Sequence, residues 1–84
     1  MENLILQMTP KLLKDIGEFL YGKFWQSQLA RDLKVNPRTV RRWHAGKSNI
    51  KVEIQIEIIA LLNNKIELFN NDLKEKIAEI NQIL

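Results

Sequence analysis

The segment NPRTVRRWHAGK, which spans residues 36–47, contains three arginines within a stretch of five residues. The guanidinium group of arginine is planar and can donate two parallel hydrogen bonds, either to O6 and N7 of guanine or to a phosphate. Several such groups on one surface would therefore suit a polyanion. The alternative is that they only solvate the outer face of a helix, as most exposed charged residues do.

The residues around these arginines predict a short helix. Asn36 followed by Pro37 is typical of a helix start, with the asparagine as N-cap and the proline in the first turn. Gly46 is typical of a residue that ends a helix. The segment 37–45 should therefore be helical.

On this helix the charged and apolar side chains separate. At about 100° per residue, Arg38, Arg41 and Arg42 share one face, whereas Val40 and Trp43 lie on the opposite one. We expect the apolar pair to anchor the helix in a core, which leaves the three guanidinium groups pointing outward.

The charge of the whole chain is concentrated in its middle third. The net charge is +3, but residues 1–21 carry −1 and residues 52–84 carry −3. Residues 22–51 hold eight lysines and arginines against Asp32 alone, which gives +7. This distribution predicts a surface that binds a polyanion, with a merely solvated basic face as the alternative.

Length and composition limit the class of protein. Eighty-four residues form one small domain and an appended helix. With 45% apolar and 27% charged residues, and no apolar run near the ~18 residues of a membrane span, the chain should be a soluble globular protein. The first residues, MENLILQM, lack the basic region of a secretory signal, and the chain has no cysteine, so we expect a cytoplasmic location.

Residues that could support catalysis are sparse. His44 is the only histidine, and a packing or phosphate-contact role fits it better than catalysis, since it has no obvious partner in the sequence. There is no glycine-rich phosphate loop, no metal-ligand cluster and no acid pair with a spacing suited to hydrolysis. We therefore predict no enzymatic activity, no cofactor, no metal and no small-molecule ligand.

Two further helices should precede the arginine-bearing one. Thr9 is the expected N-cap of a helix that starts at Pro10 and ends near Gly22. A second helix should cover residues 25–34, with Phe24 and Trp25 in the core or as a hydrophobic staple before it. The apolar faces are predicted to be Leu12, Leu13, Ile16, Phe19 and Leu20 on the first helix and Leu29, Ala30 and Leu33 on the second.

The last third of the chain is also predicted to be helical. Residues 50–58, IKVEIQIEI, alternate between apolar and polar and taken alone indicate a strand, which could pair across a dimer. The segment continues without glycine or proline into a helical pattern, so we predict a helix from about Val52 to Leu84, with a break allowed at 63–64 or 70–71. The strand stays open as an alternative for 50–58.

A narrow apolar face runs along this last helix and predicts a dimer. Seven large apolar residues share an arc of about 80°. A seam about 33 Å long is too long for three or four short helices to cover, so residues 63–84 should form a dimerisation helix beside a domain at 1–62. The apolar spacing contains consecutive four-residue steps, so it is not a strict heptad repeat, and a short antiparallel pair or a four-helix arrangement is as plausible as a zipper. The alternative to a dimer is that this helix folds back over its own domain. The predicted dimerisation residues are Leu62, Ile66, Phe69, Leu73, Ile77, Ile80 and Leu84.

Residues 26–46, QSQLARDLKVNPRTVRRWHAG, resemble the helix-turn-helix of the phage Cro/cI-like repressor family. The resemblance is carried by Gln26 at the first position, Ala30 four residues later, and Val35, Val40 and Trp43 at the positions that the family buries. A small residue at position 30 allows the two helices of the motif to cross closely.

The resemblance implies a small helix-turn-helix DNA-binding domain. Together with the C-terminal dimerisation helix predicted from the apolar face, this gives an all-α protein. The resemblance also implies that helix 37–45 enters the major groove, and that Lys34, where the family usually has glycine, adopts a left-handed conformation. Gln26 and Asn36 would contact phosphates near the helix N-termini, and Lys47 would touch the backbone beyond the helix. The DNA-contacting residues so predicted are Gln26, Asn36, Arg38, Thr39, Arg41, Arg42 and Lys47.

These observations predict a homodimeric, sequence-specific regulator of transcription that binds a palindromic site in double-stranded DNA, most simply as a repressor. Similar compact regulators occur in phages and prophages, among them proteins that repress their own operons, such as the autorepressors of anti-CRISPR operons. The alternative is a protein-interaction module, an antitoxin or adaptor that captures a different protein with its C-terminal helix.

Overall fold

A computed structural model describes residues 8–84, and this part of the chain is all-helical, with no β-strand. The prediction of an all-α fold is confirmed for these residues. The start of the predicted 1–62 domain and the segment inspected for a secretory signal lie largely outside them. The helices are α1 (Pro10–Tyr21), α2 (Trp25–Leu33), α3 (Pro37–His44) and α4 (Val52–Ile83), and a 3-10 turn (Gly22–Phe24) joins α1 to α2.

One core is shared by all four helices. The predicted apolar faces of α2 and α3 are confirmed, since Leu29, Ala30 and Val40 are fully buried and Leu33 and Trp43 nearly so. The loop before α4 adds Ile50, and α4 itself adds one fully buried residue. The buried residues of this core are Leu13, Trp25, Leu29, Ala30, Leu33, Val40, Trp43, Ile50 and Ile58.

The ends of α1 match the sequence prediction. The hydroxyl oxygen of Thr9 accepts a hydrogen bond from the backbone N–H of Leu12 at 3.1 Å, which satisfies one of the unpaired donors in the first turn. Gly22 follows the helix with φ = 80°, a conformation that glycine adopts without steric cost.

A close contact between α1 and α2 fixes which face of α1 is buried. A Cβ atom added to Gly17 would overlap Cε3 of Trp25, so the indole ring packs directly against the glycine backbone. Leu13 and Leu20 lie on the same side of the helix as Gly17 and are buried with it.

The predicted apolar face of α1 is therefore partly wrong. Leu12 and Phe19 are exposed because the contact with Trp25 turns the Gly17 side of α1 toward the core and leaves these two residues outside. Phe24 is exposed as well, with the ammonium group of Lys23 5.8 Å from its ring centre, so it belongs neither to the core nor to a buried staple.

The turn between α2 and α3 takes the predicted left-handed conformation at Lys34. This residue has φ = 60° and ψ = 40°, and it is the one non-glycine residue with positive φ in the described part of the chain. Two backbone hydrogen bonds close the end of α2, from the N–H of Val35 to the carbonyl of Ala30 (2.9 Å) and from the N–H of Lys34 to the carbonyl of Arg31 (3.1 Å). This pairing is the Schellman motif, which ends a helix within one residue.

Replacing Lys34 by glycine is expected to raise the free energy of unfolding by at most ~1 kcal/mol. Relief of the left-handed strain favours the variant, and the larger unfolded-state entropy of glycine offsets part of the gain. Thermal and urea denaturation measure the change. Arg31→Gly, inside α2, is the control and should lose about 1 kcal/mol because glycine lowers helix propensity. A Lys34→Gly variant that is less stable than the parent would contradict the assigned turn.

The last helix is continuous over 32 residues. The helix prediction from Val52 is confirmed, the strand alternative for 50–58 is wrong, and no break occurs at 63–64 or 70–71. Only the first part of α4 packs on the domain, through buried Ile58 and partly buried Ile54 and Leu61.

Residues 63–84 are exposed throughout, so α4 does not fold back over its own domain. The Nζ atom of Lys65 still donates to the carbonyl of Leu20 at 3.3 Å, near the point where the helix leaves the domain. The projecting helix gives the molecule extents of 55 × 35 × 20 Å.

Candidate nucleic-acid interface

The start of α3 is built as the sequence predicts. The side-chain oxygen of Asn36 accepts a hydrogen bond from the backbone N–H of Arg38 at 2.8 Å, and Pro37 occupies the first turn. Because only the carbonyl of the Asn36 amide is used, its NH₂ group remains able to donate to an external acceptor.

The end of α3 is equally well defined. Gly46 has φ = 74°, its N–H donates to the carbonyl of Trp43 at 3.1 Å, and the N–H of Lys47 donates to the carbonyl of Arg42 at 2.9 Å. These bonds form a second Schellman motif. They turn the chain sharply and leave Lys47 exposed just beyond the helix.

The two faces of α3 separate as predicted. Val40 is fully buried and Trp43 retains 7% of its exposure, whereas Arg38, Arg41 and Arg42 are all exposed. The buried pair fixes the rotation of the helix. The guanidinium groups therefore project together from the domain, and we call these three residues the arginine face.

No acidic side chain neutralises this surface within residues 8–84. The ion pairs there are Lys11–Asp15 (2.9 Å) and Lys14–Glu18 (3.3 Å), both along α1. None of the eight lysines and arginines of residues 22–51 forms an ion pair with a described residue. An uncompensated basic segment attracts polyanions and raises their rate of encounter.

Asp32, the one acidic residue of the basic segment, is engaged elsewhere. Its carboxylate accepts a 2.6 Å hydrogen bond from the hydroxyl of Tyr21, which ties the end of α1 to α2. Partial burial, together with the hydrogen bond to Asp32 and the negative charge of that carboxylate, raises the pKa of Tyr21 above its usual value. Tyr21 therefore stays protonated and keeps donating this bond at neutral pH.

His44 has a partner that the sequence did not reveal. The amide nitrogen of Gln26 lies 2.9 Å from Nδ1 of His44, and because an amide nitrogen only donates, Nδ1 is the acceptor. The imidazole also meets the ring of Trp25 edge-on, with ring centres 5.2 Å apart. The bond joins the start of α2 to the end of α3, across 18 residues of sequence, and the one sequence signal for it is that both residues are polar and border the apolar faces.

This contact changes the part expected of Gln26. One of its two amide hydrogens is directed to His44, so one remains for a phosphate. The side chain is held in place before any ligand binds, which reduces the entropy that binding would cost.

The remaining predicted contact residue, Thr39, is half-buried and lines a groove of about 280 Å³ between α3 and α4. Lys51 lines the same groove from the start of α4 and is a cation that the sequence prediction omitted. The structure thus brings the arginine face, Asn36 and Lys47 together on α3 and its ends. It places Gln26 beside the C-terminus of α3 and Thr39 on one flank.

The second candidate surface is the apolar stripe of α4. Of the seven predicted dimerisation residues, Leu62 is half-buried and the other six are exposed. The stripe continues toward the N-terminus through exposed Ile59 and Val52. We keep the name apolar stripe for these nine residues.

Other kinds of site are not seen in the described residues. His, Cys, Asp and Glu side chains form no group of three or more within 8–84 that could hold a metal ion. None of the helices in that range combines the length and apolar character needed to cross a lipid bilayer.

The described chain is therefore a small all-helical domain with a basic helix on its surface and a projecting C-terminal helix. Comparisons with known protein families, with curated proteins and with solved structures each find no match to this chain.

Proposed function

We propose that this protein is a homodimeric regulator of transcription that binds a palindromic site in double-stranded DNA, with α3 in the major groove. In the proposed complex α2 and α3 form the helix-turn-helix unit, and the protein acts most simply as a cytoplasmic repressor that occupies a promoter. The proposal includes no enzymatic activity and no cofactor.

The arginine face is the observation that carries the proposal. A helix anchored by Val40 and Trp43 presents three guanidinium groups that no described carboxylate neutralises. In a purely solvated face, exposed arginines would be interspersed with acids, which usually form weak surface pairs with them. The segment 33–47 contains no acid at all.

The surroundings of α3 add polar groups suited to phosphates. Asn36 and Gln26 each keep an amide hydrogen for an external acceptor, and Lys47 lies just past the helix. Phosphate contacts fix the register of a protein on DNA, while contacts to base edges select the sequence. Arg38, Arg41 and Arg42 are the proposed readers of base edges.

The binding test starts with selection of a specific site from random duplexes, followed by fluorescence anisotropy titrations at several salt concentrations. An Arg38→Ala, Arg41→Ala or Arg42→Ala variant that has lost a bidentate contact to guanine should lose ~1–3 kcal/mol for the selected site and discriminate less at one base pair. A variant that has lost a phosphate contact should bind all duplexes more weakly, with a salt slope smaller by about one.

Lys74→Ala serves as the control, because it removes one cation from α4, outside the basic segment. This variant should bind as the parent does. If all three arginine variants also bound selected and random duplexes like the parent at every salt concentration, the arginine face would be a solvated surface and the proposal would fail.

A second candidate function is favoured by the apolar stripe of α4. A protein-interaction module, an antitoxin or adaptor, would use that stripe to hold a different protein, with DNA binding secondary. The mass of the purified chain in solution separates the two proposals, since a homodimer supports the regulator and a monomer with an exposed stripe supports the module.

A further inference from the structure

The apolar stripe has a near-palindromic spacing. Counted outward from the point between residues 67 and 68, large apolar residues occur at the same distance on both sides, to within one residue. Val52 and Leu84 mark the two ends of this pattern. The inner pairs are Ile66 with Phe69, Leu62 with Leu73, and Ile59 with Ile77.

We propose that α4 pairs with α4 of a second copy in an antiparallel arrangement, about a two-fold axis near residues 67–68. In such a pair, residue i of one chain contacts residue j of the other, and j contacts i. The spacing then sets eight of the nine stripe residues opposite one another, and Ile80 lies opposite Ile56, an exposed residue beside the stripe. The inference rests on the homodimer of the proposed function and specifies its geometry.

Opposite charges meet on the two sides of the axis in the antiparallel direction. Lys65 and Asp72 lie on the same flank of the stripe, on opposite sides of the axis. Antiparallel helices bring like flanks together, so each Lys65 would meet Asp72 of the partner subunit, twice in the dimer. Parallel helices bring unlike flanks together, and Lys65 would then lie toward Glu67 and Asp72 toward Lys74 of the partner subunit. Exchanging the charges of Lys65 and Asp72 therefore restores the pairing only in the antiparallel dimer.

Both charged groups are available for this contact. Asp72 is exposed and forms no ion pair with a described residue. The ammonium group of Lys65 donates to the carbonyl of Leu20 and has two further N–H bonds.

A groove lies where the central pair would meet. Phe19 on α1 and Lys65, Ile66 and Phe69 on α4 line a depression of about 280 Å³. Phe19 and Phe69 are 63% and 61% exposed, which is unusual for phenylalanine on a monomer surface. In the antiparallel pair, Phe69 of the partner subunit faces Ile66 and enters this groove, so Phe19 gains the cover that its own chain does not give it.

The exposed area is sufficient for a stable interface. The stripe and Phe19 together offer on the order of 800 Å² per chain, which is the contribution of each partner to an interface of standard size. A second copy covers the full length of the stripe at once, because the helices overlap from residue 52 to residue 84.

The arrangement also sets the distance between the two DNA-binding domains. Each domain packs on α4 around Ile54 and Ile58, and the same residues of the partner lie roughly 30–40 Å further along the helix axis. Half-sites one helical turn apart are separated by about 34–36 Å. The points at which the two domains pack on the paired helices are thus about as far apart as half-sites one turn apart.

Cysteine cross-linking tests the direction of the helices in the full chain, which has no cysteine of its own. The double variant Leu62→Cys, Leu73→Cys should form covalent dimers under mild oxidation, because each pair of thiols comes within the roughly 4.4–6.8 Å Cα separation of a disulfide. Neither single variant should do so. Leu73→Cys alone forming covalent dimers would show parallel helices, and a monomeric parent chain in light scattering would likewise overturn the proposal.

A charge exchange gives an independent readout, since these exposed residues can change without disturbing the core. Lys65→Glu and Asp72→Lys should each raise the dissociation constant of the dimer about tenfold, measured by sedimentation equilibrium. The double exchange should restore it. Glu75→Lys, on the far side of α4, is the matched control and should leave the constant unchanged, and a double exchange no better than the single ones would overturn the pairing.

Neither experiment uses DNA, so the two proposals can fail separately. Antiparallel cross-links in a chain without specific DNA binding would uphold the dimer and reject the regulator. Specific DNA binding by a chain that cross-links through Leu73→Cys alone would uphold the regulator and reject the antiparallel dimer.

Discussion

Replacing Trp43 by alanine is expected to lower the free energy of unfolding by roughly 3–5 kcal/mol. The indole is buried in the core where α3 packs on the rest of the domain, and its removal leaves a cavity that the surrounding helices fill only in part. Small domains have a total stability near the lower end of ~5–15 kcal/mol, so much of the variant should be unfolded at physiological temperature. Urea denaturation followed by far-UV circular dichroism measures the loss.

Arg42→Ala, one position away on the same helix, is the matched control. Its side chain is exposed, so melting should change little while DNA binding weakens. Val40→Ala should lie between the two in stability, since it removes two buried methyl groups. Equal stability of Trp43→Ala and the parent would mean that α3 is not anchored through this residue, and the rotation of the arginine face would lose its basis.

Deleting residues 64–84 is expected to convert the proposed dimer to a monomer and to reduce affinity for the selected DNA site roughly 10²–10⁴-fold. The deletion removes both the axis of the proposed dimer and the larger part of the apolar stripe. Two linked domains bind two half-sites with the second step intramolecular, and a single domain loses that advantage. Light scattering and anisotropy titrations follow the two effects.

The truncated domain should remain helical, because residues 63–84 contribute nothing to the core. Binding to random DNA per domain should be nearly unchanged, which is the internal control for folding. A truncated chain that keeps the mass of the intact dimer would show that the C-terminal helix does not join the copies.

Local rules were enough to predict most of the helical framework. The caps at Thr9 and Asn36 and the glycines at 22 and 46 depend on residues close in the sequence, and all appear in the structure. The period of the apolar residues predicted the buried faces of α2 and α3 as well. The start of α4 at Val52 was predicted as well, because the helical period of the apolar residues up to Leu84 is longer than the alternating pattern of residues 50–58.

Contacts between distant residues were not predictable from such rules. The indole of Trp25 against Gly17 decides which side of α1 is buried, and a glycine in a helix gives little sign that a ring lies on it. The same holds for the hydrogen bond from Gln26 to His44, since it depends on how α2 crosses α3. The arginine face could be predicted because its geometry is set within one helix. The contacts that hold this helix on the domain, such as the bond from Gln26 to His44, could be seen only in the tertiary structure.

If the proposed dimer forms, the solvent exposure of residues 63–84 makes the order of the helix itself depend on protein concentration. A single helix of this length with few tertiary contacts is only marginally stable in water, so its C-terminal half should fray in the free chain and become ordered as the copies associate. Below the dissociation constant of the dimer, the amount of dimer rises with the square of total protein. Occupancy of a DNA site would then increase over a narrow range of concentration, which gives a regulator of its own synthesis a threshold that a monomeric binder lacks.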